Sequence, residues 1–391
     1  MTVAGGPKIE TDGLVLYYDV NNIDSYPGEP TTNIVANPTP TTSWNVSNYL
    51  TSQVTLGYSY EDGIPQIELS NLTTESGYPR LVDSAFTSTL TGVYSISSEA
   101  KGTINDNFLF RIYEGGSTKI TKSATLTSTG EWEKFTVSST TAFILTTPYI
   151  NPVIIAGTLY IRNIQVEAKT HVTPFVNGTR SSTDGLKDLS GQDNHADLTN
   201  ATYDSNALID YDGVSGYSTI SDSSTLDIQG AMSIGAWIKL DTLTTTPSDP
   251  AIYARYDGTT AGTRQFWFSY RNAGSDKGIA LYVVDSSNVL RGAYRTDWSP
   301  SIDTWYYIMG VFSPSNYMRI YINSVLDYEI TTSIPADVHS TSIDSYIGAA
   351  PNYSTGYHFD GKIDLVQQYN QALTSQEILN NYNAQKSRFG H

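Results

Sequence analysis

The chain has 391 residues, with 22 basic and 39 acidic side chains and a formal net charge of −17 at pH 7. An acidic surface repels phosphate backbones, which excludes nucleic acid as a main partner. Because the chain has no cysteine, disulfides and thiolate metal sites are excluded as well. No apolar run approaches the roughly 20 residues needed to span a bilayer, so membrane insertion is not expected.

The first predicted strand spans 14–19 and is followed by turn-forming residues at 21–28. The stretch 31–180 then contains short alternating segments, such as 108–113 and 132–137, which are separated by turns rich in Gly, Ser, Thr and Asn. Short strands at such spacing predict a β-sandwich.

The C-terminal half repeats this pattern of alternating segments. It predicts strands at 207–211, 217–220, 232–239, 265–270, 279–284, 305–312, 317–322 and 361–370. Thr374 and Glu377 then form a capping box, and an apolar stripe follows, which predicts one terminal helix. The predicted fold class is all-β: two jelly-roll β-sandwiches, one inserted in the other, with a short C-terminal helix.

A family resemblance begins in the last predicted strand. The run Gly-x-Ile-Asp-x-Val-x-x-Tyr-Asn-x-Ala-Leu-Thr-x-x-Glu-Ile at 361–378 resembles the end of laminin-G-like, concanavalin A-like jelly-roll domains. The segment 13–28 looks like the opening of the same domains. The tail at 381–390 resembles the form that these domains take in tailed-phage virion proteins.

The domain limits follow from one displaced loop. In the resembled pattern, an Asp-Leu-Ser-Gly-x-x-Asn loop follows the opening strand within a few residues, but here it lies at 188–194. The sequence therefore predicts one domain built from 1–30 plus 181–391 and a second domain inserted at 31–180. Insertion at a turn costs little when its ends lie close together. The two ends of the insert resemble carbohydrate-binding-module-like jelly rolls of phage tail and head proteins.

No catalytic residue is predicted. Retaining glycoside hydrolysis needs two carboxyl groups about 5 Å apart, and the sequence contains no strand with the carboxylate spacing of glucanases. Glu131 and Glu133 are interpreted as a solvated strand edge. Neither a Gly-x-Ser-x-Gly nucleophile elbow nor a His-Glu-x-x-His helix is present. The sequence thus favours a protein that is not an enzyme.

A structural calcium ion is the one candidate cofactor. Calcium takes six to eight oxygen ligands, and the candidate residues are Asp19, Asp188, Asp193, Asn194 and Asp364. The first and last strands of a jelly roll commonly pair, so Asp19 and Asp364 are expected to approach each other. The resemblance adds that laminin-G-like domains often hold calcium. Alternatively, Asp188 and Asn194 only close an Asx turn, and Asp364 caps a neighbouring main-chain group.

Aromatic loop residues are the candidates for carbohydrate binding, because aromatic rings pack on the apolar faces of sugars. The candidates are Tyr294, Arg295, Trp298, Tyr346, Tyr353 and Tyr357. The alternative is that these tyrosines pack on neighbouring subunits. Trp237, Trp267 and Trp305 lie within predicted strands and are interpreted as core residues.

The phage-type resemblance implies a virion surface protein, made in the host cytoplasm without a signal peptide. Its expected partners are other virion proteins, copies of itself in a homo-oligomer, and host surface glycans bound weakly but at many sites. The alternative is a purely structural capsid decoration or tail-attachment protein with no glycan binding. A secreted glycoside hydrolase is the third hypothesis.

Overall fold

The computed structural model divides into two compact units. Unit 1 combines Met1–Glu29 with Ser182–His391, and unit 2 is Pro30–Ser181. Both divisions lie one residue from the predicted limits at 30/31 and 180/181. The structure describes residues 8–35, 39, 44–47, 55–72, 80–83, 90–102, 107–114, 117–125, 130–145, 147–152, 157–204, 208–243, 248–258, 260, 262–273, 276–295, 297–352 and 356–391.

Strand β1 (Leu14–Asp19) opens unit 1, and the next fourteen strands belong to unit 2. These are β2 (Thr31–Thr32), β3 (Trp44–Ser47), β4 (Thr55–Glu61), β5 (Ile64–Leu72), β6 (Arg80–Asp83), β7 (Leu90–Gly92), β8 (Ser95–Gly102), β9 (Asn107–Glu114), β10 (Ser117–Thr125), β11 (Glu133–Ser138), β12 (Phe143–Leu145), β13 (Thr147–Pro152), β14 (Gly157–Glu167) and β15 (Thr179–Arg180).

Unit 1 resumes after this insert and ends in a helix. Its further strands are β16 (Ala196–Thr199), β17 (Thr202–Asp204), β18 (Leu208–Asp212), β19 (Tyr217–Ile220), β20 (Met232–Leu240), β21 (Ala251–Tyr256), β22 (Arg264–Ala273), β23 (Asp276–Val284), β24 (Leu290–Tyr294), β25 (Trp305–Ser313), β26 (Tyr317–Ile322), β27 (Val325–Ile330), β28 (Ser345–Ile347) and β29 (Asp360–Tyr369). Helix α1 (Ser375–Gln385) and a short 3-10 helix (Lys386–Phe389) follow. The predicted all-β class with one short C-terminal helix is confirmed.

Unit 1 is built from two antiparallel sheets over a common core. One sheet has the order β17-β18-β29-β20-β25-β26-β27, and β1 also pairs with β29. The other has the order β16-β19-β28-β21-β22-β23-β24. Ile234 and Ile308 from the first sheet join Phe266, Phe268 and Leu281 from the second in one buried cluster. Alternate residues of each strand face this core, so the remaining ones face outward.

Strand β1 completes the first sheet from the far end of the sequence. It runs antiparallel to β29, with Tyr18 opposite Val366 and Asp19 opposite Leu365. Leu16 and Tyr18 are buried in the unit 1 core. The N-terminal strand therefore pairs with the last strand of the chain, although the whole insert separates the two in the sequence.

The C-terminal helix covers the outer face of the first sheet. Thr374 caps α1, because its side chain accepts from the Glu377 N–H while the Glu377 carboxylate accepts from the Thr374 N–H. Phe389 stacks on Trp237 with ring centroids 4.0 Å apart. The Trp237 Nε1–H donates to Gln385 Oε1 at 2.8 Å. These contacts bury an outward-facing tryptophan that would otherwise lie in solvent.

Unit 2 contains two five-stranded antiparallel sheets, ordered β10-β9-β13-β6-β3 and β11-β8-β14-β5-β4. Trp44, Ile67, Ile96 and Leu159 belong to its buried core. Its two ends are joined, because β2 pairs with β15 and places Thr31 opposite Arg180. Across the described parts of both units, no helix is long and apolar enough to cross a membrane.

Candidate functional site

The outer face of the second sheet of unit 1 carries a row of aromatic and small residues. Register places Tyr346 opposite Ala254, Ala254 opposite Trp267, Trp267 opposite Tyr282, and Tyr282 opposite Gly292. The row therefore runs across five neighbouring strands, β28, β21, β22, β23 and β24. Since the core takes the alternate residues, such as Phe266 and Phe268, this row lies on the opposite face.

A cavity of about 230 Å³ lies in the middle of this row. Among the described residues, its lining consists of Asp249, Tyr256, Trp267, Arg271, Tyr282, Leu290 and Tyr357. We call it the aromatic pocket. Trp267 stands nearly perpendicular to Tyr256 and Tyr357, at interplanar angles of 75° and 88° and centroid distances of 5.0 and 5.1 Å. The three rings therefore meet at a corner.

One ion-paired network supplies the polar groups of the pocket. Arg271 Nη1 donates to both carboxylate oxygens of Asp249, at 3.0 and 3.2 Å, and to the Tyr282 hydroxyl at 3.0 Å. Its Nη2 donates to Asp276 at 3.4 Å. Burial raises the pKa of Asp249, and Arg271 opposes this rise. Burial likewise raises the pKa of Tyr282, so its hydroxyl stays protonated at neutral pH.

Gly292 makes room for the Tyr282 ring. A Cβ atom at position 292 would lie 2.3 Å from Tyr282 Cδ1, which is much closer than atoms can approach. The ring therefore lies over the backbone of β24. Arg271 fixes the hydroxyl end of the same side chain, so the position of the ring is determined at two points.

Three of the candidate sugar-binding residues lie on this outer face or at its rim. Tyr357 lines the aromatic pocket. Tyr294 lies beside it, with its ring centroid 5.9 Å from that of Tyr282 and 4.8 Å from the Arg271 guanidinium carbon. Tyr346 belongs to the aromatic row but is only 7% exposed, and its hydroxyl accepts from Asn352 Nδ2 at 3.1 Å.

The other three candidates lie elsewhere. Trp298 packs edge-on against Tyr270 and Tyr306 at the border of the unit 1 core. Arg295 forms ion pairs with Asp297 and Asp327. Tyr353 lies outside the described residues. The structure thus does not bring Trp298 and Arg295 into the aromatic pocket.

The sequence did not predict most of the residues that line the pocket. Those missed are Asp249, Tyr256, Trp267, Arg271, Tyr282 and Leu290. Its position within a predicted strand indicates that Trp267 is a core residue, and it is indeed only 6% exposed, yet it faces outward and forms one wall of the pocket. The alternation of β22 predicts only that Trp267 faces away from Phe266 and Phe268, and the structure shows that those two residues take the core side.

The five candidate calcium ligands form two groups. Asp19 and Asp364 come together as expected, but Arg388 lies between them: its guanidinium donates to Asp19 at 2.7 and 2.8 Å and to Asp364 at 3.3 Å. Asn21 Nδ2 also donates to Asp364. Burial raises the pKa of Asp364 to about 6, against the opposing charge of Arg388.

The second group closes a turn. Asp188 accepts from the main-chain N–H groups of Tyr17, Ser190 and Asn194 and from the Ser190 hydroxyl. Asn194 donates to the Val15 carbonyl and to Thr225. Asp193 is exposed, with a φ of 57°. Within the described residues, no cluster of three or more Asp, Glu, His or Cys side chains forms a metal site. Calcium binding stays a prediction.

Residues 212–379 match the sequence model of the family described as the concanavalin A-like lectin/glucanases superfamily. Over these residues, unit 1 is similar to domains of this superfamily. The matched segment runs from the last residue of β18 into the first half of α1 and includes all described residues that line the aromatic pocket. The phage-type form and the carbohydrate-binding-module-like character of the insert stay predictions.

Comparison with solved structures gives only distant likenesses. The receptor-binding domain of botulinum neurotoxin C/D mosaic serotype is 15% identical, with a TM-score of 0.40 over 51% of this chain and 48% of that one. The chain thus spans about half the length of the toxin domain. Domain 4 of AbnA, an extracellular arabinanase from Geobacillus stearothermophilus, solved with arabinotriose, is 20% identical, with a TM-score of 0.40 over 51% and 94% of the two chains. No curated protein matches the sequence.

Proposed function

We propose that unit 1 binds neutral glycans at the aromatic pocket and does not cleave them. The observation that carries this proposal is the corner formed by Trp267, Tyr256 and Tyr357 beside the Asp249–Arg271 pair. Aromatic rings contact the apolar face of a sugar, and a few fixed polar groups orient its hydroxyls. The match of residues 212–379 to the concanavalin A-like lectin/glucanases superfamily supports this proposal.

The charges around the pocket favour an uncharged ligand. Arg271 is the one cation that lines it among the described residues, and Asp249 and Asp276 already neutralise that guanidinium. The described lining therefore offers a carboxylated sugar no unpaired positive charge, and the overall charge of −17 would repel it.

Binding without cleavage is supported by the carboxylates of the pocket. Asp249 is the one carboxylate in the described lining, and Arg271 holds both of its oxygens. Hydrolysis needs a second carboxyl group across the scissile bond. Incubation with the bound glycan should therefore release no new reducing ends, and any turnover would overturn this part of the proposal.

The test is a glycan array followed by calorimetry with three variants. Tyr357→Ala and Tyr282→Ala each remove a wall of the pocket and should weaken binding at least several-fold. Tyr60→Ala changes a tyrosine of unit 2 that is 68% exposed, and it should leave binding unchanged. A flat array, or equal loss in all three variants, would refute glycan binding at this pocket.

We further propose that the protein is exposed on the surface of a phage particle and binds glycans there. Its support is the resemblance of 13–28 and 381–390 to the laminin-G-like domains of tailed-phage virion proteins. Copies on the particle, in contact with other virion proteins, would adsorb it to host glycans through many weak contacts. Particles that lack the protein should adsorb poorly. Normal adsorption with lower heat resistance would favour the purely structural alternative.

A further inference from the structure

The aromatic pocket is too small for more than a short piece of a glycan. Its volume of about 230 Å³ lies below the usual range of ligand sites, about 300–1,000 Å³. A single sugar residue fits such a space, whereas an oligosaccharide does not. If the proposed function holds, the rest of a bound chain must therefore lie outside the pocket, on the outer face of the sheet.

One end of the aromatic row is closed. Towards β28, the Tyr357 ring stands at 88° to Trp267 and forms a wall. Beyond it, Tyr346 is only 7% exposed, because Tyr217 packs against its ring and Asn352 holds its hydroxyl. Among the described residues, the Tyr357 wall and the buried Tyr346 therefore separate the pocket from the next ring in this direction, Tyr217, which is only partly exposed.

The other end is open. Towards β24, Tyr282 lies over Gly292, so position 292 places no side chain between the pocket and the edge of the sheet. Leu290 and Tyr294 point to the same side as Gly292, because alternate residues of a strand share a face. Because Gly292 lies opposite Tyr282, Leu290 and Tyr294 lie on either side of that ring. Leu290 is 43% exposed and Tyr294 is partly exposed.

We propose that the pocket holds the terminal residue of a linear neutral glycan and that the next residue stacks on Tyr282 between Leu290 and Tyr294. The chain then leaves the sheet across β24. This assignment rests on the proposed function and adds to it the ligand class: the end of a linear oligosaccharide of at least two residues, recognised from one side only.

The first test is chain length. Calorimetry with the cello-, chito- and malto-oligosaccharide series, from one to four residues, should show for the series that binds an increase of about fivefold from one residue to two, since one more aromatic contact forms. Little further gain is expected beyond three residues. Equal affinity for the monosaccharide and the tetrasaccharide would overturn the inference. No binding by any of the three series would count against the proposed function itself.

The second test uses variants along the row. Tyr294→Ala removes the outer flank, so it should lower affinity for the trisaccharide about fivefold and leave the monosaccharide unchanged. Gly292→Ala displaces the Tyr282 ring, which is also a wall of the pocket, so it should weaken the binding of both ligands. Tyr217→Ala, at the closed end, is the matched control and should change neither. Equal loss for both ligands in Tyr294→Ala would show that Tyr294 belongs to the pocket and not to a second subsite.

The third test asks whether one end of the glycan, reducing or non-reducing, must enter the pocket. Trisaccharides blocked by a methyl group at the reducing end, or at the 4-hydroxyl of the non-reducing end, should behave differently, because just one end enters the pocket. Binding should be lost with one of the two and kept with the other. Retention of binding with both blocked ligands would refute terminal recognition.

Discussion

Arg388 and Asp19, 369 residues apart in the sequence, form a two-point ion pair with N–O distances of 2.7 and 2.8 Å. The same guanidinium donates to Asp364, a side chain with no exposed surface. One arginine of the C-terminal tail thus neutralises two carboxylates that the pairing of β1 with β29 brings together.

Replacing Arg388 should destabilise unit 1. In Arg388→Gln, the buried Asp364 carboxylate loses its counter-charge and faces Asp19 across the paired strands. We expect the free energy of unfolding to fall by about 2 kcal/mol. This is less than the cost of breaking a fully buried ion pair, because Arg388 is one-third exposed. Denaturant unfolding measures it. Arg319→Gln, which breaks a pair with Glu329, a carboxylate that is one-third exposed, is the control and should cost less than about 1 kcal/mol. Equal effects would contradict the role of Arg388.

The predicted calcium site can be tested with the same variant. Arg388 already supplies positive charge between Asp19 and Asp364, so a calcium ion should compete with it. Added calcium should raise the melting temperature of Arg388→Gln more than that of the wild-type protein, because ligand binding to the folded state stabilises it. A chelator should reverse the difference. An equally large response of the wild-type protein would show that the ion binds beside the arginine.

Asp212 should make stability sensitive to acid. Burial raises the pKa of this carboxyl, but N–H groups of Ser215, Gly216 and Val214 outweigh that effect and hold it well below its usual range. Because the pKa is lower in the folded protein than in the unfolded chain, the stabilisation is present above about pH 4 and is lost as pH falls below it.

The matched variant is Asp212→Asn, which keeps an oxygen acceptor but cannot titrate. Its melting temperature should fall less steeply than that of the wild-type protein between pH 4.5 and pH 2.5. Parallel curves would mean that Asp212 does not contribute to the acid sensitivity. Hydrogen bonds within the turn make this effect local, so unit 2 should melt alike in both proteins.

Unit 1 should fold without the insert. The paired strands β2 and β15 place the Cα atoms of Thr31 and Arg180 about 5 Å apart, so a short linker can bridge the gap. A chain in which a few Gly and Ser residues replace 30–181 should show cooperative unfolding at a melting temperature near that of unit 1 in the intact protein. Aggregation, or loss of near-ultraviolet circular dichroism, would show that unit 1 needs the insert.

Local patterns in the sequence predicted most of the fold. The capping box at Thr374 marks the helix start, and the alternation in 361–370 marks the last strand, because both signals lie within a few residues. The approach of Asp19 to Asp364 followed from the expected pairing of the end strands. The ion pair with Arg388 did not, since it depends on how the tail folds back over the sheet.

The aromatic pocket was also hard to predict, because its residues come together only in the folded chain. Tyr357 and Tyr294 were candidates because they lie in or next to loops, where binding residues are common. Asp249, Trp267, Arg271 and Tyr282 meet only through the register of neighbouring strands. An alternating pattern shows that a strand has two faces but does not tell which face packs on the core, so an outward tryptophan resembled a core residue.

The partnership of β1 with β29 has a consequence for biosynthesis. A ribosome makes the chain from the N-terminus, so all strands of unit 2 emerge before β29 does. Unit 2 can complete its folding on the nascent chain, whereas Leu16 and Tyr18 must wait for a strand that is translated more than three hundred residues later. A translating complex arrested before residue 360 would carry a finished insert and an open first sandwich, whose apolar strands are natural targets for chaperones.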